Sequence, residues 1–336
     1  MQQLLGLLLI SFAITSFFMV PFIDFLFFLK RKFEKKETSG RVSSETPIHN
    51  QLMKDDETTP SGGGILLILV LAVMSVAYAL LIPLRDWTDL KILLFTLFSF
   101  GSLGLVDDIR WLTTKRRGKL LGLGRRILIL IQILFALMIA YMLYSLIGLN
   151  NLNIPLVNNF NLGWLYVPFA AFVIVSFSNA YNISDGLDGL STGLLTICLF
   201  AFLALASASL NLTLAAFIGI WIGALFAYLY FNVYPARIFL GDAGAFGFGA
   251  ALAVVGLLSG KIIGLGVIGA VYIIIVATSL LQILSKKIFK KKLFPVAPLH
   301  MYLKYIGWEE PKIVARLWLA GAVFAIFGLW LALISA

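Results

Sequence analysis

Uninterrupted apolar runs of about 20 residues recur along the whole sequence, and they limit the possible folds more than any other feature. Each run is long enough for an α-helix to cross the hydrocarbon core of a bilayer. Hydrophobic residues make up 61% of the chain and charged residues 12%, whereas soluble domains carry about 25% charged residues. A β-barrel would need alternating strands of about ten residues instead. The sequence therefore predicts an all-α membrane protein, built as a polytopic helical bundle.

The hydropathy pattern predicts about ten transmembrane helices. No internal repeat or linker divides the chain, so residues 1–336 are expected to form a single domain. Two runs are short, and we expect their helices to extend into the adjoining loops or to lie partly inside the bundle. The predicted spans are 4–29, 62–82, 92–106, 125–147, 163–181, 190–209, 213–231, 244–258, 263–284 and 313–334.

Basic residues fall almost entirely on one side of the predicted bundle. Of the 26 Lys and Arg, only Arg85, Lys91 and Lys261 are predicted for the opposite side. The positive-inside rule makes the basic side cytoplasmic and leaves both termini outside. A net charge of +10 would suggest nucleic-acid binding in a soluble protein. Here the topology accounts for the charge, so no nucleic-acid partner is expected.

Acidic residues are few, and several of them lie at the predicted cytoplasmic ends of spans. Charges at membrane depth are costly, so those that persist tend to be paired, hydrated or functional. A helix cap or a topology signal could explain any one of them. Five on one side, several of them beside glycine, favour a functional site. The five are Asp107, Asp108, Asp185, Asp188 and Asp242.

Clustered carboxylates suit Mg²⁺, which keeps several waters and bridges substrate phosphates. Together with the basic residues on the same side, they indicate a phosphate-bearing substrate at the membrane surface. Asp185 and Asp188 would share one face if their segment were helical. The run Gly62–Gly64 could present backbone N–H groups to a phosphate, or form a flexible loop before a helix. The single cysteine, Cys198, is predicted mid-span, so no cysteine metal site is expected.

Five motifs together resemble the polyprenyl-phosphate N-acetylhexosamine-1-phosphate transferases over nearly the whole chain. They are TTPSGGG, GLVDDIR, NAYNISDGLDGL, FNVYPARIFLGDAGAF and APLHMYLKYIGWEEPKIVARLW. The resemblance implies that undecaprenyl phosphate attacks UDP-MurNAc-pentapeptide, that UMP leaves, and that Mg²⁺ is the cofactor. The segment GWEEPKIVARLW favours the muramoyl-pentapeptide branch. A sister transferase that uses UDP-GlcNAc remains the alternative, and an ion-coupled transporter is a third interpretation.

The resemblance also implies roles for individual residues and a location for the protein. It implies a multi-pass protein of the bacterial cytoplasmic (inner) membrane, with active-site loops in the cytoplasm, able to form a homodimer. It makes Asp242 the Mg²⁺ ligand, and Phe239 the ring that stacks on uracil. The catalytic positions that it implies are Asp107, Asp108, Asp242 and His300. The substrate-binding positions are Ser61, Asn182, Asp185, Asp188, Asn232, Phe239 and Gln282.

The sequence departs from the family pattern near several of these positions. The family has three consecutive histidines where this chain has His300, Met301 and Tyr302. Ala245 stands where the family usually has a serine. The lysine expected near the start of the fourth span has no clear match, because Leu128 is at the aligned position and Arg125 and Arg126 lie nearby. These changes leave the reaction class intact and leave the sugar-peptide substrate open.

Overall fold

The computed structural model confirms the predicted all-α bundle. It describes residues 2–34, 59–82, 87–114, 124–155 and 158–334. Ten helices in this part of the chain are long and apolar enough to cross a membrane. Most of the predicted loop 30–61 lies outside the described residues.

The described residues form twelve α-helices, of which α9 and α11 are single short segments of seven residues and the other ten are the candidate spans. A hairpin of two antiparallel strands, β1 (Asn151–Ile154) and β2 (Asn158–Asn161), joins α4 to α5. In chain order the helices are α1 Gln2–Glu34, α2 Gly63–Leu81, α3 Thr88–Thr114, α4 Arg125–Leu146, α5 Tyr166–Ser184, α6 Leu190–Ala208, α7 Leu212–Asn232, α8 Gly241–Leu258, α9 Ile262–Ile268, α10 Ala270–Ile288, α11 Leu299–Tyr305 and α12 Glu310–Ile334.

Helix α8 lies at the centre of the bundle, packed against α2, α3 and α5, and is the most buried of the ten candidate spans. Its sequence, GDAGAFGFGAALAVVGLL, is rich in Gly and Ala, and small residues let helix backbones approach closely within a membrane. A Cβ on Gly64 of α2 would lie 2.3 Å from the Gly244 Cα. A Cβ on Gly104 of α3 would lie 2.1 Å from the Asp242 carbonyl oxygen. The first turn of α8 is therefore fixed between α2 and α3.

Helix α12 is anchored on α6 by an equally close contact. A Cβ on Gly193 would lie 2.1 Å from the Trp318 ring, and the Trp318 indole N–H donates to the Leu190 carbonyl at 3.4 Å. The start of α12 is thereby placed beside the turn that connects α5 to α6.

The two short predicted runs were expected to extend into loops or to lie partly inside the bundle. The run 92–106 is part of the longer α3, and the run 244–258 lies in the buried α8, so both expectations are confirmed. The prediction of one continuous helix over 263–284 is wrong. The chain forms α9, turns at Gly269 and then begins α10. A Cβ on Gly269 would lie 2.6 Å from the Phe177 ring, so the turn makes room for a side chain of α5.

Candidate active site

Three helices bring predicted site residues together at one end of the bundle, which we call the acidic end and define by Asp108, Asn182 and Asp242. Asp242 lies in the first turn of α8. The Asn182 side-chain amide, in the last turn of α5, donates to Asp242 Oδ1 at 2.8 Å. Asp108 of α3 accepts a hydrogen bond from the Ala243 backbone N–H at 3.2 Å. The first turn of α8 therefore connects all three residues.

Gly241 explains how these groups come so close. Its φ of 79° is one that residues with a side chain rarely adopt. A Cβ at this position would lie 3.0 Å from both Asp108 Oδ2 and Ser61 Oγ. The exposed Ser61 hydroxyl and the Asp108 carboxylate thus approach the same point at the start of α8.

Asp107 and Asp108 are neighbours on α3, and only partly buried. Adjacent residues on a helix point about 100° apart. Asp108 interacts electrostatically with Asp242 and with Asp107. Of the two, Asp108 is the one that the structure brings to the first turn of α8.

Asp185 lies just beyond the end of α5 and near Asp242. Its carboxylate accepts a hydrogen bond from the Ser191 hydroxyl. The pKa of the Asp185 carboxyl is raised to about 6, chiefly by burial. The Ser191 hydrogen bond opposes this rise, and the negative charges of Asp242 and Asp188 contribute to it. A cation bound at this end would therefore relieve an unfavourable charge.

The segment 185–189 is a turn, so the expectation that Asp185 and Asp188 share a helix face is wrong. Asp188 is 8% exposed, and its Oδ2 accepts from the Ala236 backbone N–H at 2.8 Å. Gly189 has a φ of 75° and allows the chain to enter α6. Asp188 thus fastens this turn to the segment between α7 and α8.

The Gly-rich segment before α2 has a structural role. The N–H groups of Gly62 and Gly63 donate to the Phe239 carbonyl at 3.0 and 2.9 Å, and Gly64 N–H donates to the Leu240 carbonyl at 2.8 Å. Phe239 N–H in turn donates to the Pro60 carbonyl at 2.8 Å. The hypothesis that these glycine N–H groups bind a phosphate is wrong, because main-chain carbonyls already use them. The half-buried Phe239 is held beside Ser61.

Asn232 and Gln282 are buried, and both bind main-chain groups. Asn232 donates to the Ile238 carbonyl at 3.0 Å and accepts from the Thr192 hydroxyl at 3.3 Å. Gln282 Oε1 accepts from Leu293 N–H at 3.0 Å and from Phe294 N–H at 2.9 Å, and its Nε2 donates to the Phe294 carbonyl at 2.8 Å. Asn232 thus holds the segment before α8, and Gln282 holds the segment that follows α10. Contact of either side chain with substrate stays a prediction.

His300 lies on the short helix α11, where it is only 1% exposed. A Cβ on Gly186 would lie 2.8 Å from His300 Nε2, so the imidazole packs against the turn that contains Asp185. The Leu299 N–H, at the start of α11, donates to the Thr278 hydroxyl at 3.0 Å. The structure therefore brings His300 to the acidic end, as a buried group rather than one in an open loop.

Glu310 is a residue of this region that the sequence analysis missed. Its carboxylate accepts hydrogen bonds from the Asp188 backbone N–H at 2.8 Å and from the Lys304 ammonium at 2.7 Å. Glu310 stands inside the quoted motif GWEEPKIVARLW. The motif alone could not distinguish it from the neighbouring, exposed Glu309.

The acidic end fits Mg²⁺ by the chemistry of its ligands. Asp108, Asp185 and Asp242 supply hard carboxylate oxygens close to one another. Within the described part of the chain, no three His, Cys, Asp or Glu side chains form a group that could hold a metal on its own. Mg²⁺ needs only one or two carboxylates when waters and substrate phosphates complete its coordination. The residues are therefore suited to a cation that protein and substrate bind jointly.

Comparison with known proteins gives matches over nearly the full length. Residues 90–260 match the family described as glycosyl transferase family 4. A protein of Geobacillus sp. (strain WCH70) is 33% identical over 336 residues, which covers 98% of each chain. A protein of Shouchella clausii is 33% identical over 331 residues, covering 98% of this chain and 97% of the relative. One of Pelagibacter ubique is 32% identical over 340 residues, covering 94% and 90%. All three are named phospho-N-acetylmuramoyl-pentapeptide-transferase.

Proposed function

The chain belongs to glycosyl transferase family 4 and, within it, to the phospho-N-acetylmuramoyl-pentapeptide transferases, and from this membership we propose its reaction. It transfers phospho-MurNAc-pentapeptide from UDP-MurNAc-pentapeptide to undecaprenyl phosphate, and the products are lipid I and UMP, on the route to peptidoglycan. The shared name of full-length relatives supports this over the UDP-GlcNAc alternative.

The proposal rests chiefly on two hydrogen bonds, which join Asp108 and Asn182 to the first turn of α8, where Asp242 lies. It places carboxylates at one end of the bundle, where a membrane-bound lipid phosphate and a water-soluble nucleotide sugar can meet. Transporters commonly bind their ions near the bilayer midplane. The position of these residues at helix ends therefore favours the transferase.

We assign the Mg²⁺ ligand role to Asp242, with Asp108 and Asp185 as neighbouring carboxylates. When bound, Mg²⁺ would neutralise charge on the diphosphate and on the departing UMP. The Asn182 amide orients the Asp242 carboxylate through its hydrogen bond, and the Ser191 hydroxyl does the same for Asp185.

The remaining site residues position the two substrates. Phosphoryl transfer depends on alignment and charge neutralisation more than on covalent chemistry. The second pKa of a phosphate monoester is about 6, so the lipid phosphate is largely ionised at neutral pH and Asp107 and Asp108 need not act as strong bases. We assign Phe239 to stacking on uracil, and the exposed Ser61 hydroxyl to the substrate side of Asp108.

The proposed location is the bacterial inner membrane, with the acidic end in the cytoplasm. Its support is the distribution of basic residues, since the positive-inside rule places them on the cytoplasmic side. The exposed lysines that follow α10, which include Lys290 and Lys291, belong to the same side of the bundle as His300.

A substrate-choice assay tests this function. The purified protein in nanodiscs that contain undecaprenyl phosphate is supplied with Mg²⁺ and either UDP-MurNAc-pentapeptide or UDP-GlcNAc, and UMP release is measured. We expect release from the muramoyl substrate alone, and none when the lipid phosphate is omitted. Turnover of UDP-GlcNAc without turnover of the muramoyl substrate would replace the proposal by the sister reaction.

A further inference from the structure

Glu310 joins two parts of the acidic end that are far apart in the sequence. Oε1 accepts from the Asp188 backbone N–H at 2.8 Å, and Oε2 accepts from the Lys304 Nζ at 2.7 Å. The Glu310 side chain is 9% exposed. Both carboxylate oxygens are thus bonded within the protein, one to the turn between α5 and α6 and the other to helix α11.

The bond to Lys304 orients the face of α11 that carries His300. The two residues are four positions apart, so they lie one helical turn from each other on the same face. His300 Nε2 packs against Gly186 of the turn. The Glu310–Lys304 ion pair therefore holds the imidazole against the turn that contains Asp185.

The bond to Asp188 holds the turn itself from the other side. Asp188 donates its backbone N–H to Glu310, and its carboxylate accepts the Ala236 N–H at 2.8 Å. The same residue is therefore held from α12 and from the segment before α8. The Trp318 contact with Gly193 fixes α12 on α6. Glu310, the first residue of α12, therefore has a fixed position.

We propose that Glu310 is a positioning residue that keeps the turn 185–189 and helix α11 at a fixed separation. It acts through Asp188 and Lys304, and does not touch the substrate. Hydrogen bonds to charged groups are roughly twice as strong as neutral ones. Loss of one partner also leaves a partly buried group without its bond. The inference rests on the proposed function only in treating Asp185 and His300 as site residues.

Kinetics of matched variants give the first test. Glu310→Gln keeps an oxygen for the Asp188 N–H but loses the ion pair, whereas Glu310→Ala loses both bonds. Since small misplacements of reacting groups can cost on the order of a hundredfold, we expect kcat to fall roughly tenfold in the Gln variant and roughly a hundredfold in the Ala variant, with KM nearly unchanged. Lys304→Met should resemble Glu310→Gln, and Lys304→Arg should retain activity. Glu309→Gln, next in sequence and exposed, is the control.

Hydrogen–deuterium exchange of the full chain, without substrate, gives the second test. We expect faster exchange in the segments 185–191 and 299–305 in both Glu310 variants, and wild-type exchange there in Glu309→Gln. Because this readout needs no turnover, it stands even if the proposed substrate is wrong. Unchanged exchange in both segments, or a kcat loss equal to that of Glu309→Gln, would overturn the positioning role.

Discussion

At the scale of single residues, Asp185 is a carboxyl in an unfavourable electrostatic environment. The carboxyl lies in a turn beside two other acidic groups, and burial together with their charges raises its pKa to about 6. Its ordinary value is 3.8. A carboxylate with a raised pKa destabilises the folded protein whenever it is ionised. A carboxyl of this kind is expected where a bound cation offsets the repulsion between neighbouring negative charges.

Replacing Asp185 by Asn should therefore stabilise the metal-free protein at neutral pH. Well below pH 3.8, the ordinary pKa, the carboxyl is protonated in both the folded and the unfolded state, so wild type and variant should have equal stability. As the pH rises from 4 to 6, the unfolded state releases the proton more readily than the folded state does. The free energy of unfolding of the wild type should therefore fall by about 2 kcal/mol relative to that of the variant, a figure that allows for partial solvent exposure of the carboxyl.

Thermal unfolding in detergent with EDTA, from pH 4 to pH 8, measures this difference. The gain in Tm of Asp185→Asn should appear between pH 4 and 6 and remain constant above. The exposed Asp24 gives the control variant Asp24→Asn. A gain that does not depend on pH would contradict the stated cause.

Residue types at the site could be predicted, but several of their partners could not. The sequence groups Asp108 with Asp242, because acidic residues are conspicuous in an apolar chain, and the structure joins Asp108 to the first turn of α8. The bonds of Gly62 and Gly63 to Phe239 depend on how α2 approaches α8, which no local pattern encodes. Glu310 was missed for the same reason, since its partner Asp188 belongs to a distant turn.

At the scale of secondary-structure elements, close helix packing places the acidic residues. The absence of a side chain at Gly104 lets α3 contact the first turn of α8, and a methyl group there would lie 2.1 Å from the Asp242 carbonyl oxygen. Helix spans follow from hydropathy and were predicted well. The turn at Gly269 was not, because it accommodates the Phe177 ring from another helix.

The variant Gly104→Ala should displace the first turn of α8 and reduce both stability and activity. Overpacking of a close contact costs typically about 1–3 kcal/mol, and Asp242 would shift with the backbone. Tm and UMP release measure the two effects. Gly6→Ala is the matched control, since a Cβ at Gly6 meets nothing within 4 Å. If Tm and UMP release are the same in the two variants, the α3–α8 contact does not position the site.

At the scale of the whole molecule, the bundle brings helix ends from three distant parts of the chain to one acidic end. Its centre is α8, whose small residues admit α2, α3 and α5. Hydropathy predicts the bundle and the side on which the acids lie. It does not predict that α8 is central, because that depends on the contacts of several helices at once.

We propose that Asp242 holds the Mg²⁺ of a transferase site shared by α3, α5 and α8. The most direct measurement is UMP release from UDP-MurNAc-pentapeptide as a function of Mg²⁺ concentration, in the wild type and in Asp242→Asn, with Asp24→Asn as control. We expect no release by the wild type without Mg²⁺, and at least about a hundredfold lower turnover in Asp242→Asn at every Mg²⁺ concentration. Unchanged turnover in Asp242→Asn would contradict it.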